Sequence, residues 1–122
     1  MATEKDLQDS LGKMEGEISG FIGASVVDLD SGMTLAVRTT RSDFDLAAAS
    51  AYNSEVVKQK LKTIKALNLK SNLEDMLLTL SDQIHLIKLL SPTSFIYLAA
   101  DKSTTNLAIV RNTVSKYASE MV

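Results

Sequence analysis

Three short apolar runs, 76–80, 84–90 and 95–100, lie close together in the second half of the chain, parted by Ser81-Asp82-Gln83 and by Ser91-Pro92-Thr93-Ser94. Runs of this length are short for helices and ordinary for strands. Both breaks carry turn-forming side chains, and the only proline of the chain falls in one of them. The pattern predicts a three-stranded antiparallel meander. Alternation within it is weak. In the last run Phe95, Tyr97 and Ala99 point one way and Ile96, Leu98 and Ala100 the other, so neither face suits water and helices are needed on both.

The rest of the chain supplies them. Residues 4–19 carry Leu7, Leu11, Met14 and Ile18 at steps of four, three and four with charged residues between them, one apolar stripe on an amphipathic helix. Thr3 can cap it, Asp6 suits its first turn, and Gly20 can end it. Residues 21–29 (FIGASVVDL) read as a strand in which Gly23, Ala24 and Ser25 allow close approach of another backbone or a helix. Asp30-Ser31-Gly32 turns the chain and 33–38 returns as a shorter strand. After a polar link at 39–42, Asp43 or Asp45 caps a long helix over 47–67. Its first half is small on every side (Ala47, Ala48, Ala49, Ser50, Ala51), and its second half places Val57, Leu61 and Ile64 on one stripe. Ser103 or Thr104 caps a last helix, with Leu107, Val110, Val114, Tyr117 and Met121 on its apolar stripe.

The order α-β-β-α-β-β-β-α predicts an α/β fold of the α+β kind. Two-sided burial is met by a five-stranded antiparallel sheet in the order 2-1-5-4-3, with the middle helix on one face and the terminal helices on the other. The third strand is then an edge. Its Met76, Leu77, Leu78 and Leu80 have no lysine, proline or bulge to guard them, and a bare apolar edge calls for a partner strand.

Composition narrows the function. The 122 residues suffice for one domain, 1–122, with a core that needs no staples, and the absence of cysteine removes disulfides and thiolate metal sites. Thirteen basic and 15 acidic residues give a net charge of -2, which argues against an electrostatic nucleic-acid binder. No apolar run is long enough to insert into a membrane and residues 1–20 are charged throughout, so a cytoplasmic protein is expected.

Candidate chemistry is thin. Asp28 and Asp30 at a strand end have the spacing of an aspartyl-phosphate phosphatase pair, but that chemistry needs a crossover helix where a second strand follows at once. A calcium loop fails on its third and last ligand positions, which hold Gly32 and Thr39. The pair is read as turn chemistry. His85, the only histidine, is read as a partly exposed sheet residue, and no serine or lysine has a base predicted beside it. No enzyme activity, cofactor or metal is expected. Lys58, Lys62 and Lys65 make one basic face with Lys60 nearby; interrupted by Glu55, it is read as solvated.

The element order, with G-x-x-G-A-x-V-V-D-x-D-x-G over residues 20–32 and EDMLLTLSDQIHLIKLL over 74–90, resembles the Roadblock / dynein light chain family over nearly the whole chain. That resemblance implies a small dimeric scaffold without a catalytic constellation. Family members include dynein-associated light chains, subunits of the lysosomal scaffold that anchors Ras-like GTPases, and bacterial regulators of a Ras-like GTPase. It also implies pairing through the middle helix and third strand, which here places Ala48, Ala51, Tyr52, Met76, Leu77, Leu78 and Leu80 at a homodimer interface. Tyr52, Glu55 and Gln59, three and four apart on one helix face, form the expected surface for the GTPase or another protein partner. Tyr52 packing instead against its own sheet or the partner helix is an equal reading of the same residue. Two other functions stay open: a small ligand-binding or sensory module, and an architectural dimer in a motor or cytoskeletal assembly.

Overall fold

A computed structural model describes residues 2–121. The chain forms α1 (Glu4–Glu17), β1 (Phe21–Asp28), β2 (Thr34–Thr39), α2 (Leu46–Ala66), β3 (Asp75–Thr79), β4 (Gln83–Ser91), β5 (Ser94–Asp101) and α3 (Leu107–Ala118). The strands make one antiparallel sheet in the order β2-β1-β5-β4-β3. Fold class, element order and sheet order all follow the sequence reading.

The sheet is covered on both sides because its central strands are apolar on both. From β5, Phe95, Tyr97 and Ala99 join Ile22, Val27, Ile87 and the α2 residues Leu46 and Val57 in one core layer. Ile96, Leu98 and Ala100 join Ala24, Val26, Leu86 and the stripes of α1 and α3 in the other. Burying six consecutive side chains of one strand leaves β5 the rigid centre, and the edges fall to β2 and β3.

Helix ends follow local chemistry. Thr3 Oγ1 accepts from the Asp6 N–H while Asp6 accepts from the Thr3 N–H, a reciprocal capping box on α1. Of the two candidate caps for α2, Asp45 is the one used, accepting from the Ala48 N–H at 3.0 Å. At the other end of α2, Asn68 adopts a left-handed φ of 56°. Its N–H donates to the Lys65 carbonyl while the Leu69 N–H reaches the Ile64 carbonyl, the paired bonds of a Schellman turn. Gly20 (φ +79°) makes the sharp exit from α1 into β1, and a side chain there would meet Thr104 Oγ1 at 2.6 Å.

The start of α3 differs from the sequence expectation. Asn106, not Ser103 or Thr104, is the cap, accepting from the Ile109 N–H. Ser103 and Thr104 instead donate their hydroxyls to the Asp101 carboxylate at the end of β5. That turn takes up two more residues before the helix can begin. Leu107 consequently falls on the first helical residue and is 38% exposed, while Val110, Val114, Tyr117 and Met121 are buried as the stripe predicts.

Close approach at the small stretch of β1 is realised. The buried Ser25 and Ser50 hydroxyls meet at 2.7 Å, tying α2 to the sheet, while Ser50 Oγ also donates to the Leu46 carbonyl. Gly32 (φ +74°) lets the β1–β2 turn press against α2, where an added Cβ would lie 3.0 Å from Ser54 Oγ.

Candidate protein interaction surface

The two edges of the sheet are built differently. In β2 the register shifts between Val26 and Val27, leaving Leu35 as an extra, unpaired residue, and Arg38 reaches across to Glu15 of α1 at 2.6 Å. A bulge and a charge are common guards against edge-to-edge pairing. β3 has no bulge: its five residues run opposite β4 without a register shift, from Asp75 opposite Lys88 to Thr79 opposite Ile84. Its one charge, Asp75 at the start of the strand, is drawn back to Arg111 of α3 at 3.2 Å, leaving residues 76–79 without a charged side chain.

Ladder geometry says which backbone groups of β3 lie free. The Leu80 N–H donates to the Gln83 carbonyl at 2.8 Å and the Leu89 N–H to the Glu74 carbonyl at 3.0 Å. Antiparallel strands alternate bonded and non-bonded pairs, so residues 74, 76, 78 and 80 exchange bonds with β4. The N–H and C=O groups of Asp75, Leu77 and Thr79 face the open edge.

The side chains expected at an interface are distributed over several surroundings. Met76 and Leu78 are half-buried against the α2 layer, Leu77 is half-buried against the α1/α3 layer, and Leu80 is 44% exposed. On α2, Tyr52 is 76% exposed, so packing against its own sheet is ruled out for that side chain. Ala48 is half-buried; Ala51 is exposed but abuts the Gly32 turn rather than the β3 side. Glu55 and Gln59 are exposed. An open groove of about 600 Å³ runs between α2 and β3, walled by Glu55, Val56, Gln59, Lys60, Thr63 and Met76. Val56, 40% exposed, is a member that sequence reasoning missed. It stands four residues after Tyr52 and beside the buried Val57, and periodicity assigns adjacent valines to one core stripe unless both flanks of the helix are considered.

The remaining candidates are occupied by structure. Asp28 Oδ2 accepts from both the N–H and the hydroxyl of Ser31, at 3.0 and 2.6 Å, and those bonds hold its carboxyl below the usual range. This is the turn chemistry expected of the Asp28–Asp30 pair. Lys58 Nζ donates to the Asp30 carbonyl and pairs with Glu55 at 3.4 Å. His85 sits half-buried, edge-on to Tyr97 with ring centroids 5.3 Å apart. With the Tyr97 hydroxyl donating to Nδ1 at 3.3 Å, Nε2–H is left to donate to Gln83 Oε1 at 2.7 Å. Burial lowers the His85 pKa and pushes Tyr97 up to about 12, with a bond from Asn53 opposing the latter. These groups are partnered within the sheet and none stands beside a nucleophile. Among the described residues no group of three or more His, Asp or Glu side chains is placed to hold a metal, and no helix is long and apolar enough to cross a membrane.

Architecture and edge together define a Roadblock/LC7 fold: a five-stranded antiparallel sheet between one long helix and a pair of terminal ones, with β3 left open. Solved structures of that class superpose closely. Myxococcus xanthus MglB matches with a TM-score of 0.87 at 11% identity, over 98% of this chain and 87% of that one. The gliding protein MglB of Thermus thermophilus gives 0.85 at 13% identity, over 99% and 89%. A Roadblock/LC7 domain from Streptomyces avermitilis gives 0.82 at 10% identity, over 94% and 93%. At such identities the likeness is one of fold. No protein-family model matches the chain, and no curated protein matches its sequence.

Proposed function

We propose that this chain is a non-catalytic scaffold that works as a homodimer and binds or regulates a Ras-like GTPase. The observation that carries the dimer is the open edge of β3, with the outward backbone groups of Asp75, Leu77 and Thr79; across the groove from Met76 stands the exposed Val56 of α2, one turn after the exposed Tyr52. A two-fold axis along that edge joins two five-stranded sheets and brings the two α2 helices together, so one patch satisfies itself. Ala48, Tyr52, Met76, Leu77, Leu78 and Leu80 then lie at or next to the junction. Ala51, against the Gly32 turn, contributes by letting α2 sit low on its own sheet.

The GTPase rests on the resemblance to Roadblock proteins and on the fold shared with MglB structures. Two α2 helices side by side present a surface that no single subunit has, with Glu55 and Gln59 exposed on it and Tyr52 as an aromatic anchor. The test is binding of nucleotide-loaded Ras-like GTPases from the source cell to the wild type, Glu55→Arg and Tyr52→Ala, with dimerisation followed in parallel. Loss of GTPase binding in Glu55→Arg with the dimer intact is the expected result. Unchanged affinity in that variant moves the binding surface elsewhere; a cell whose Ras-like GTPases all ignore the wild-type dimer removes the assignment.

A further inference from the structure

Between Lys58 and Leu73 the chain holds Lys58, Lys60, Lys62, Lys65 and Lys70 and no acidic residue, five of the 13 basic residues of a chain whose net charge is -2. Only Lys58 is engaged by another group; among the described residues Lys60, Lys62, Lys65 and Lys70 form no ion pair. Helical spacing separates them. Lys58, Lys62 and Lys65 share one flank of α2 and Lys60 lies on the other, over the groove beside β3.

Leu61 stands on the flank of Lys58, Lys62 and Lys65 and forms one wall of a second recess of about 450 Å³. Its other walls are Asn72 and Leu73, from the link before β3, Leu89, Leu90 and Ser91 at the end of β4, and Pro92 in the turn to β5. Four of its seven lining residues are leucines, and helical spacing sets Lys58 and Lys65, three before and four after Leu61, and Lys62 next to it, on the α2 side of the recess. Within the Schellman turn that follows, Leu67 and Leu69 stand 63% and 51% exposed.

We infer that this recess is a second docking surface, taking an acidic segment of a partner protein that seats one leucine- or phenylalanine-sized side chain between Leu61 and Pro92 and sets its carboxylates against Lys62 and Lys65. Shape and charge both favour this occupant. A flat anionic bilayer would meet the lysines but leave a concave floor unfilled, whereas a peptide side chain fills it and removes apolar surface from water. Carboxylates opposite unpaired lysines add attraction and orientation without requiring the lysines to leave solvent entirely. The inference does not depend on a dimer or a GTPase.

The experiment is selection from a random-peptide display library on the immobilised full chain, followed by anisotropy measurements with one fluorescein-labelled selected peptide. Vesicles of phosphatidylserine and phosphatidylcholine are run as a second probe. Selected sequences should combine Asp or Glu with a leucine or an aromatic residue. Their affinity should fall about tenfold in Lys62→Glu/Lys65→Glu and further with added salt, while Leu73→Asn weakens binding through the recess and Glu74→Gln, removing the nearest acidic residue in sequence, does not. Circular dichroism confirms that each variant is folded. No enrichment, enrichment without acidic residues, or binding indifferent to the lysine pair overturns the inference. So does lysine-dependent binding to the vesicles with none to peptides, which would make the surface lipid-facing.

Discussion

Thr79→Pro separates the open edge of β3 from the stability of the subunit. Thr79 is exposed, and ladder alternation turns its N–H away from β4. Proline there removes a donor that its own sheet does not use, at an edge position where proline is tolerated. In a dimer related by a two-fold axis the same donor disappears twice. At about 0.5–1.5 kcal/mol net for each hydrogen bond, the two losses weaken association by about 1–3 kcal/mol, a rise in Kd of about 5- to 150-fold. The pyrrolidine ring adds steric crowding against the approaching strand. Sedimentation velocity across a concentration series reads the dimerisation constant, and a thermal melt at low concentration reads the subunit. The expected outcome is a weakened dimer with the subunit's melting temperature little changed. A wild type that stays monomeric at tens of micromolar refutes the reasoning, and so does a folded Thr79→Pro that dimerises like the wild type. Leu78→Lys is less discriminating, because Leu78 already packs against the α2 layer and the charge would damage the core as well.

Three further outcomes test the fold that holds this surface. Gly20→Ala should destabilise the chain by about 1–3 kcal/mol in urea denaturation, since a Cβ would sit at positive φ and 3.1 Å from the Asp101 carbonyl. Ser50→Ala should cost about 1–3 kcal/mol by stranding the buried Ser25 hydroxyl, and the double variant Ser25→Ala/Ser50→Ala should recover part of it; an additive loss would refute the pairing. Burial holds His85 below its ordinary value of 6.5, so the unfolded chain binds more protons than the native one as pH falls through that range. His85 therefore leaves stability at its full value above about pH 7 and lowers it progressively toward acid. Melting curves against pH should show that loss reduced in His85→Gln, and an unchanged profile would sink the assignment.

Much of the architecture was legible because it is written in periodicities. Leu7, Leu11, Met14 and Ile18 have one helical explanation, and the two apolar faces of 95–100 demand cover on both sides, which nearly dictates a central β5 and an edge β3. The resemblance of residues 20–32 and 74–90 to Roadblock proteins pointed to the same fold, although by overall sequence the chain matches no family model. Local signals failed where two short polar residues compete: Ser103, Thr104 and Asn106 can all cap a helix, and the choice went to Asn106 only because Asp101, at the end of β5, took the other two hydroxyls.

The sequence by itself determined the elements, their order and the apolar character of the edge, since these depend on neighbours along the chain. Tertiary structure alone decided which side of each element meets which surface. It sent Leu77 to one core layer and Met76 and Leu78 to the other, left Tyr52 and Val56 in solvent, aimed the Asp75, Leu77 and Thr79 backbone groups outward, and brought Leu61 and Pro92 to the walls of one recess. Such features depend on the crossing of α2 over the sheet and on the register of β3 against β4, both set by close packing between residues far apart in the chain, where no local pattern records the outcome.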